Sequence, residues 1–154
     1  MRQAKLVVHT DIILDHLTTA TDKASVLRRT MERYFCYTTV FNAIELFSLA
    51  RTSSEREAVS RSLGAMKILG LNAKRAPEYG ALLAGRPGLP YIKALVAGLC
   101  IESRLPLLSF RPEEFRWAKR LELVYPRMVS GRVEIRRHRS VTASAVKHPP
   151  SQRV

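Results

Sequence analysis

Short aliphatic runs alternate with amphipathic segments along most of this chain. The first run, Ala4 to Val8, has the composition of a buried strand, and apolar positions from Ile12 to Leu17 recur at helical spacing. Further strands are predicted at Cys36 to Thr39, Lys67 to Leu71, Leu105 to Ser109 and Leu121 to Tyr125. This alternation predicts an α/β fold with a mostly parallel sheet covered by helices, in which sites lie at the carboxyl ends of strands.

Polar residues mark where the predicted helices begin. Thr21 or Asp22 can cap the second helix, and Thr39 can cap the third. Asn72 can cap a later helix that Pro77 kinks or restarts. Ser53 or Ser54 can cap a helix that runs to about Met66. The remaining helices are predicted at 91–103 and 112–117, and the cluster 85–88 is a turn.

Two predicted helices are almost wholly apolar, and each carries one ion near its start. Glu45 is surrounded by apolar positions at helical spacing: Phe41, Ile44, Leu46, Phe47 and Leu49. Glu45 either stays partly exposed on a helix that packs on one side, or points into a polar cleft with other ionisable residues. Lys93 is the matching ion of the helix that begins at Tyr91. We therefore expect a direct or water-mediated contact between Glu45 and Lys93.

The composition indicates one domain with a polyanionic partner. The 154 residues include 26 Lys or Arg and 13 Asp or Glu, so the formal net charge is +13, which favours nucleic acid or an anionic membrane surface. The longest apolar run, Ala94 to Ile101, is far shorter than the roughly 18 residues of a membrane span, and we expect a cytoplasmic protein. Cys36 and Cys100 form no CxxC pair and are predicted to be reduced core residues.

The composition changes after Pro126, which predicts a domain over 1–126 and a basic tail over 127–154. Val129 to Ile135 can add an edge strand, and disorder is expected from Arg136 onward. Three clustered arginines, Arg136, Arg137 and Arg139, are candidates for binding nucleic-acid phosphates. The alternative is an unstructured extension that its charge keeps soluble.

Four segments in this order resemble the PIN-domain family, and within it the ribonucleases of VapC-type toxins. The segments are VVHTDIILDHL, TTVFNAIELF, LPYIKALVAGLCIESRLPLLSF and RPEEF followed by LELVYP. The resemblance extends from about Leu6 to Pro126. It implies a PIN-like α/β fold with about five short strands in a mostly parallel sheet and helices on both faces.

The resemblance also implies a metal site, and this chain departs from it. In the family, three or four carboxylates hold one or two Mg²⁺ or Mn²⁺ ions, which suit oxygen ligands and activate water. The first aspartate of the family falls on His9, the second acid on Glu45, the third on Lys93 and the last near Arg111. One acid, two cations and an imidazole thus stand where the family has about four acids.

The substitutions leave several functions open. The leading hypothesis is a PIN-fold protein that has lost metal-dependent ribonuclease activity, needs no cofactor, and binds RNA or a protein partner. An active endoribonuclease is the alternative, either with Mg²⁺ or Mn²⁺ held by Asp11 and Glu45, or metal-free with His9 as acid or base and Lys93 and Arg111 steadying the phosphorane. Asp11 is otherwise an acid at a helix N-terminus.

Two further hypotheses concern metals and partners. His9, Asp11 and Glu45 together can make a mixed nitrogen and oxygen site suited to Zn²⁺ or Mn²⁺. A structural role is the third function considered, in which the chain is a homodimer subunit that binds an antitoxin-like protein. No membrane partner is expected.

Overall fold

The computed structural model describes residues 2–130, which form five strands and seven α-helices. In chain order these are β1 Ala4–Val8, α1 Thr10–Thr18, α2 Val26–Arg33, β2 Tyr34–Thr39, α3 Val40–Leu49, α4 Ser53–Gly64, β3 Lys67–Leu69, α5 Ala76–Ala84, α6 Tyr91–Ser103, β4 Leu107–Leu108, β5 Leu123–Val124 and α7 Pro126–Ser130. Two 3₁₀ turns lie at Ala73–Arg75 and Pro112–Phe115. The predicted alternation of strands and helices is confirmed.

The sheet is parallel throughout, with the strand order β3-β2-β1-β4-β5. The central strand β1 pairs with β2 from Ala4 opposite Tyr34, and with β4 from Val7 opposite Leu107. The last three strands are shorter than their aliphatic runs predicted, because β3 has three residues and β4 and β5 have two each.

Helices cover both faces of the sheet, as predicted. Successive residues of a strand point to opposite faces, and Leu6 and Val8 of β1 join one apolar cluster while Val7 joins another. The first cluster includes residues of α1, α2, α3 and α4, and the second is built mainly on α6 and the turn at Pro112–Phe115. The sheet is thus the middle of three layers.

The helix caps correct two sequence expectations. Ser25 caps α2 by accepting a hydrogen bond from the Arg28 N–H at 3.1 Å, so neither Thr21 nor Asp22 is the cap. Thr52 caps α4 in a reciprocal pair with Glu55, so neither Ser53 nor Ser54 is the cap. Thr39 caps α3 as predicted, with its hydroxyl accepting from Asn42 N–H at 3.1 Å.

The chain after Pro126 starts with a helix. Over Pro126–Ser130 the structure has α7, so a strand does not begin at Val129. Val129 is buried in the first apolar cluster and α7 contacts α2. The rest of the predicted tail, including Arg136, Arg137 and Arg139, lies outside the described residues.

Cys36 and Cys100 are buried free thiols, as predicted, and burial raises the pKa of each to about 12. None of the helices within residues 2–130 has both the length and the apolar character needed to cross a membrane.

Candidate functional site

The candidate site lies where the strand order of the sheet reverses. The chain places β2 and β3 on one side of β1 and then returns to place β4 and β5 on the other. Such a reversal leaves a crevice at the carboxyl ends of the two central strands. Residues 9–11 follow β1 and residues 109–111 follow β4, and the N–H of His9 donates to the Leu108 carbonyl at 3.0 Å. These two segments form the floor of the site.

Asp11 joins the two segments. Its Oδ2 accepts a hydrogen bond from Ser109 Oγ at 2.8 Å and another from the Phe110 N–H at 2.9 Å, while Ser109 Oγ accepts from the Arg111 N–H at 3.0 Å. Burial raises the pKa of Asp11, but the His9 imidazole and the hydrogen bonds from Ser109 and Phe110 lower it, so the pKa lies below the usual value. Asp11 is therefore an ionised carboxylate that holds the loop after β4.

His9 lies beside Asp11, and its side chain is mostly but not fully buried. Its Nδ1 is 3.4 Å from Asp11 Oδ1, and its ring meets the edge of Phe115 with centroids 5.1 Å apart. Both facing atoms lack a well-formed hydrogen bond among the described residues. The separation is that of an ion pair when the imidazole carries a second proton, and His9 does not cap α1 with its side chain.

Lys93 is paired with Glu114, and the expected direct contact with Glu45 is wrong. The Lys93 ammonium donates to Glu114 Oε2, and Arg111 Nη1 lies 3.6 Å from Glu114 Oε1. The hydrogen bond from Lys93 holds the pKa of Glu114 below its usual value against the effect of burial, and Arg111 lowers it further. Two cations therefore share one carboxylate on the turn Pro112–Phe115.

Glu45 makes no ion pair with this charge cluster among the described residues. It is partly buried on α3, and within residues 2–130 its carboxylate has no hydrogen bond or ion pair; its carbonyl accepts from Ser48 Oγ at 2.6 Å. The flanking Ile44 and Phe47 are 57% and 40% exposed. The apolar residues of α3 therefore include solvent-facing ones, and Glu45 needs no buried partner. This favours the first of the two sequence interpretations.

Asn42 was missed by the sequence analysis, although it fixes the start of α3 to the end of β1. Its Nδ2 donates to the Val8 carbonyl at 3.1 Å and to Thr38 Oγ1 at 3.2 Å, and Thr38 Oγ1 donates to the same carbonyl at 2.9 Å. Asn42 and Thr38 are fully buried. The signal that could have identified this anchor is a polar residue in the first turn of an apolar helix, because a buried polar side chain needs hydrogen-bond partners.

The side chains at the site do not suit a divalent cation. Within residues 2–130, no three His, Cys, Asp or Glu side chains are grouped so as to hold a metal ion. His9 and Asp11 are neighbours, but Glu45 does not join them in such a group, and Glu114 already pairs with Lys93. A hard cation prefers several free carboxylate oxygens. The donor set therefore fits neither Mg²⁺ or Mn²⁺ nor the mixed Zn²⁺ site considered from the sequence.

Glu114 is the main residue that the sequence analysis missed. The segment Pro112 to Trp117 was predicted as an acidic-led helix, and it forms a 3₁₀ turn with Glu114 facing Lys93 and Arg111. The available signal was the spacing of three residues between Arg111 and Glu114, which brings two side chains to one side of a helical turn.

The fold defines the class: this is an α/β protein with a PIN-like fold, which it shares with structures of VapBC proteins. Three solved structures support this. A chain of VapBC2 from Rickettsia felis, bound to a promoter DNA fragment, has a TM-score of 0.65 and 15% identity, over 79% of this chain and 98% of that chain. VapBC-1 from nontypeable Haemophilus influenzae gives 0.63 and 15%, over 79% and 98%. A toxin-antitoxin complex from Klebsiella pneumoniae gives 0.62 and 15%, over 79% and 97%.

At this level of identity the similarity establishes the shared fold. No protein-family model matches the sequence, and no curated protein sequence matches it closely.

Proposed function

We propose that this protein is a PIN-fold protein without metal-dependent ribonuclease activity, which binds RNA through its basic surface. The observation that carries the proposal is the ion pair between Lys93 and Glu114, with Arg111 beside it. The Lys93 ammonium neutralises the Glu114 carboxylate. This carboxylate therefore needs no bound cation to balance its charge.

Electrostatics oppose a metal next to these cations. Two like unit charges 4 Å apart repel by about 4 kcal/mol at an effective dielectric constant of 20, and a divalent ion roughly doubles this. Lys93 is mostly shielded from solvent, so water screens its charge only in part, whereas the side chain of Arg111 is 72% exposed and opposes a metal less. Lys93 is therefore the substitution expected to matter most.

The charge of the chain supports RNA as the partner. Residues 131–154 contain six Lys or Arg and one Glu, so the remaining 130 residues still carry a formal charge of +8. An excess of this size on a small domain attracts polyphosphates and gives salt-sensitive binding. The basic character therefore does not depend on the segment that contains Arg136, Arg137 and Arg139.

Cleavage of single-stranded RNA by the purified full-length protein tests the loss of activity. With excess Mg²⁺ or Mn²⁺ the rate is expected to equal that of a buffer control. The triple variant His9→Asp, Lys93→Asp and Arg111→Asp is expected to bind Mn²⁺ in calorimetry. A surface control with Arg33→Asp, Arg56→Asp and Lys119→Asp is expected to show no such gain.

Two results would contradict the proposal in different ways. Cleavage by the unmodified protein that EDTA and Glu45→Gln both abolish identifies a metal-dependent enzyme. Cleavage that resists EDTA but is lost in His9→Ala identifies the metal-free route, in which the imidazole acts as acid or base.

A second candidate function is a subunit that binds an antitoxin-like protein or a second copy of this chain. Exposed large apolar side chains favour it: Ile44, Phe47 and Leu49 of α3, and Tyr91, which is 71% exposed at the start of α6. One of the similar structures is a toxin-antitoxin complex. Sedimentation velocity and RNA titration distinguish the two functions, because tight dimerisation without salt-sensitive RNA binding is the result expected for this second role.

A further inference from the structure

A cavity of about 390 Å³ lies between the end of α1, the start of α2 and the side of α4. It is remote from Lys93 and Glu114 in the fold, because α1 begins at the candidate site and its nine residues carry the chain roughly 13 Å away. The cavity is lined by His16, Leu17, Thr19, Ala20, Thr21, Lys23, Ser25, Arg28, Ala58, Arg61, Ser62 and Ala65. Two of these residues, Ser25 and Arg28, also form the cap of α2.

The lining has the chemistry of an anion site. Three cations come from three segments: Lys23 from the loop after α1, Arg28 from α2 and Arg61 from α4. Thr21 and Ser62 add two hydroxyl donors, whereas Thr19 Oγ1 already donates to the Asp15 carbonyl at 2.6 Å and Ser25 Oγ is bonded to His16. None of the twelve lining residues is Asp or Glu. Arginine and lysine together with hydroxyl donors are the groups that proteins use to bind phosphate.

The three cations have no carboxylate of their own to neutralise them. Within residues 2–130, no Asp or Glu oxygen lies within 4 Å of Lys23, Arg28 or Arg61, whereas Arg75, Lys93 and Arg111 all have such partners. Like charges gathered around one cavity repel each other, and an anion placed between them relieves that repulsion.

The wall between α1 and α2 is fixed by hydrogen bonds. His16 Nδ1 is 2.7 Å from Ser25 Oγ, and Ser25 is 4% exposed and caps α2. Burial and the nearby Arg28 guanidinium lower the pKa of His16, while Asp15 on the same helix raises it. Arg28 and His16 both line the cavity, so both can face one small ligand. The first turn of α2 carries no acid, so its positive dipole end adds to the field of the cavity.

We propose that this cavity binds a phosphate group, and that in the full-length protein the phosphate belongs to the backbone of bound RNA. The RNA part of this inference rests on the RNA binding proposed above, but the anion site itself does not. The site positions a strand at a distance from the crevice that contains Lys93, so that one RNA molecule contacts the basic domain at two places.

The test compares two pairs of substitutions on the same two helices. Arg28→Gln with Arg61→Gln removes two charges from the cavity, and Arg33→Gln with Arg56→Gln removes two exposed charges outside it. Affinity for a single-stranded RNA oligonucleotide is measured with full-length protein at several salt concentrations. The cavity pair is expected to weaken binding at least tenfold and to reduce the salt slope by about 0.7, the value for one phosphate contact in a single strand. The control pair is expected to change affinity less than threefold.

A second measurement uses inorganic phosphate and the NMR signal of the His16 ring. Saturable shifts are expected in the wild-type protein and in the control pair, and their loss is expected in the cavity pair. Arg28→Lys with Arg61→Lys keeps the charge and is expected to retain the shifts, which shows that the response depends on positive charge at these two positions. A thermal melt of the glutamine pair that matches the wild type shows that its loss of the shifts does not come from unfolding.

Each outcome decides between the proposals. Equal losses of RNA affinity in the two glutamine pairs, with no phosphate response at His16, overturn the anion site. A phosphate response in a protein that binds no RNA retains the anion site and overturns the RNA part. Binding of an acidic peptide in the cavity that inorganic phosphate does not displace assigns the surface to a protein partner and contradicts the proposal.

Discussion

Lys93 and Glu114 form the ion pair on which the proposed loss of metal binding rests. Their side chains are 28% and 31% exposed, so the pair lies between the surface and buried extremes, and we expect a coupling energy of about 1 to 2 kcal/mol. A double-mutant cycle with Lys93→Ala and Glu114→Ala, followed by urea unfolding, measures it. The matched cycle of Lys93→Ala with Glu45→Ala is expected to be additive. Coupling between Lys93 and Glu45, together with additivity between Lys93 and Glu114, would show that Glu45 is the partner of Lys93.

Asp11 links stability to pH. Its pKa in the folded protein lies below the usual 3.8, so its contribution to stability is complete above about pH 4 and is lost as the pH falls through the folded-state pKa. Asp11→Ala leaves Ser109 Oγ and the Phe110 N–H without their acceptor. We expect a loss of about 1 to 3 kcal/mol at pH 7.

Unfolding of the wild type and of Asp11→Ala by urea at pH 7 and at pH 2.5 to 3 tests this expectation. The difference in the free energy of unfolding is expected to shrink at the lower pH, because Asp11 is then mostly protonated in the unfolded wild-type chain, where its pKa is near 3.8, and this protonation favours unfolding. A difference that stays constant with pH would show that Asp11 acts through packing alone.

The sequence did not predict which side chains pair with each other at the site, and there is a physical reason for this. The positions His9, Asp11, Lys93 and Arg111 do come together near the carboxyl ends of β1 and β4, or on the helix and turn beside them. Which acid Lys93 selects depends on the orientation of the turn Pro112–Phe115, and this follows from Phe115, which is fully buried. Glu45 and Glu114 have the same chemistry, so a sequence does not rank them.

Among the helices, α5 and α6 pack at one very close point. An added Cβ on Gly98 would lie 2.5 Å from Tyr79 Cε1, and the Tyr79 hydroxyl is held by Glu102 at 2.8 Å. Gly98→Ala is therefore expected to destabilise the fold by about 1 to 3 kcal/mol through overpacking.

Gly80→Ala on α5 is the control, because nothing lies within 4 Å of its added Cβ. We expect it to be neutral or to stabilise by up to about 1 kcal/mol, since alanine favours the helix. Thermal melts of both variants measure the contrast. Equal effects of the two substitutions would show that helix propensity, not contact with Tyr79, controls both.

Long elements with a consistent period were the most predictable. The strand Ala4–Val8 and the helix Tyr91–Ser103 have the predicted bounds, since an extended apolar pattern leaves few choices of boundary. The predicted cap of α2 was wrong because Thr21, Asp22 and Ser25 all have side chains that can cap a helix. The contact of Ser25 with His16 favours Ser25 as the cap. The lengths of the short strands depend on their neighbours in the sheet, because β4 extends only over the residues that pair with β1 and β5.

At the scale of the whole molecule, the fold was predictable and its uncovered surfaces were not. The parallel sheet and its two helical layers follow from the order of apolar segments. The apolar run of α3 indicates a buried helix from every side, yet Leu49 is 53% exposed. Periodicity reports which residues prefer burial, whereas the number of neighbouring elements decides which of them obtain it. The cavity between α1, α2 and α4 was missed for the same reason, since its cations lie 38 residues apart at their extremes, from Lys23 to Arg61.

The position of β1 at the centre of the sheet has a consequence for how the chain folds during synthesis. Pairing of β1 with β2 joins residues 30 apart, from Ala4 to Tyr34, whereas pairing with β4 joins Val7 to Leu107, 100 residues later. At about 5 to 20 residues per second, a ribosome takes roughly 5 to 20 seconds to make that length of chain. Throughout this interval one edge of the central strand has no partner, and such an edge is a template for pairing with other chains. We therefore expect the nascent protein to depend on chaperones in the period before β4 emerges.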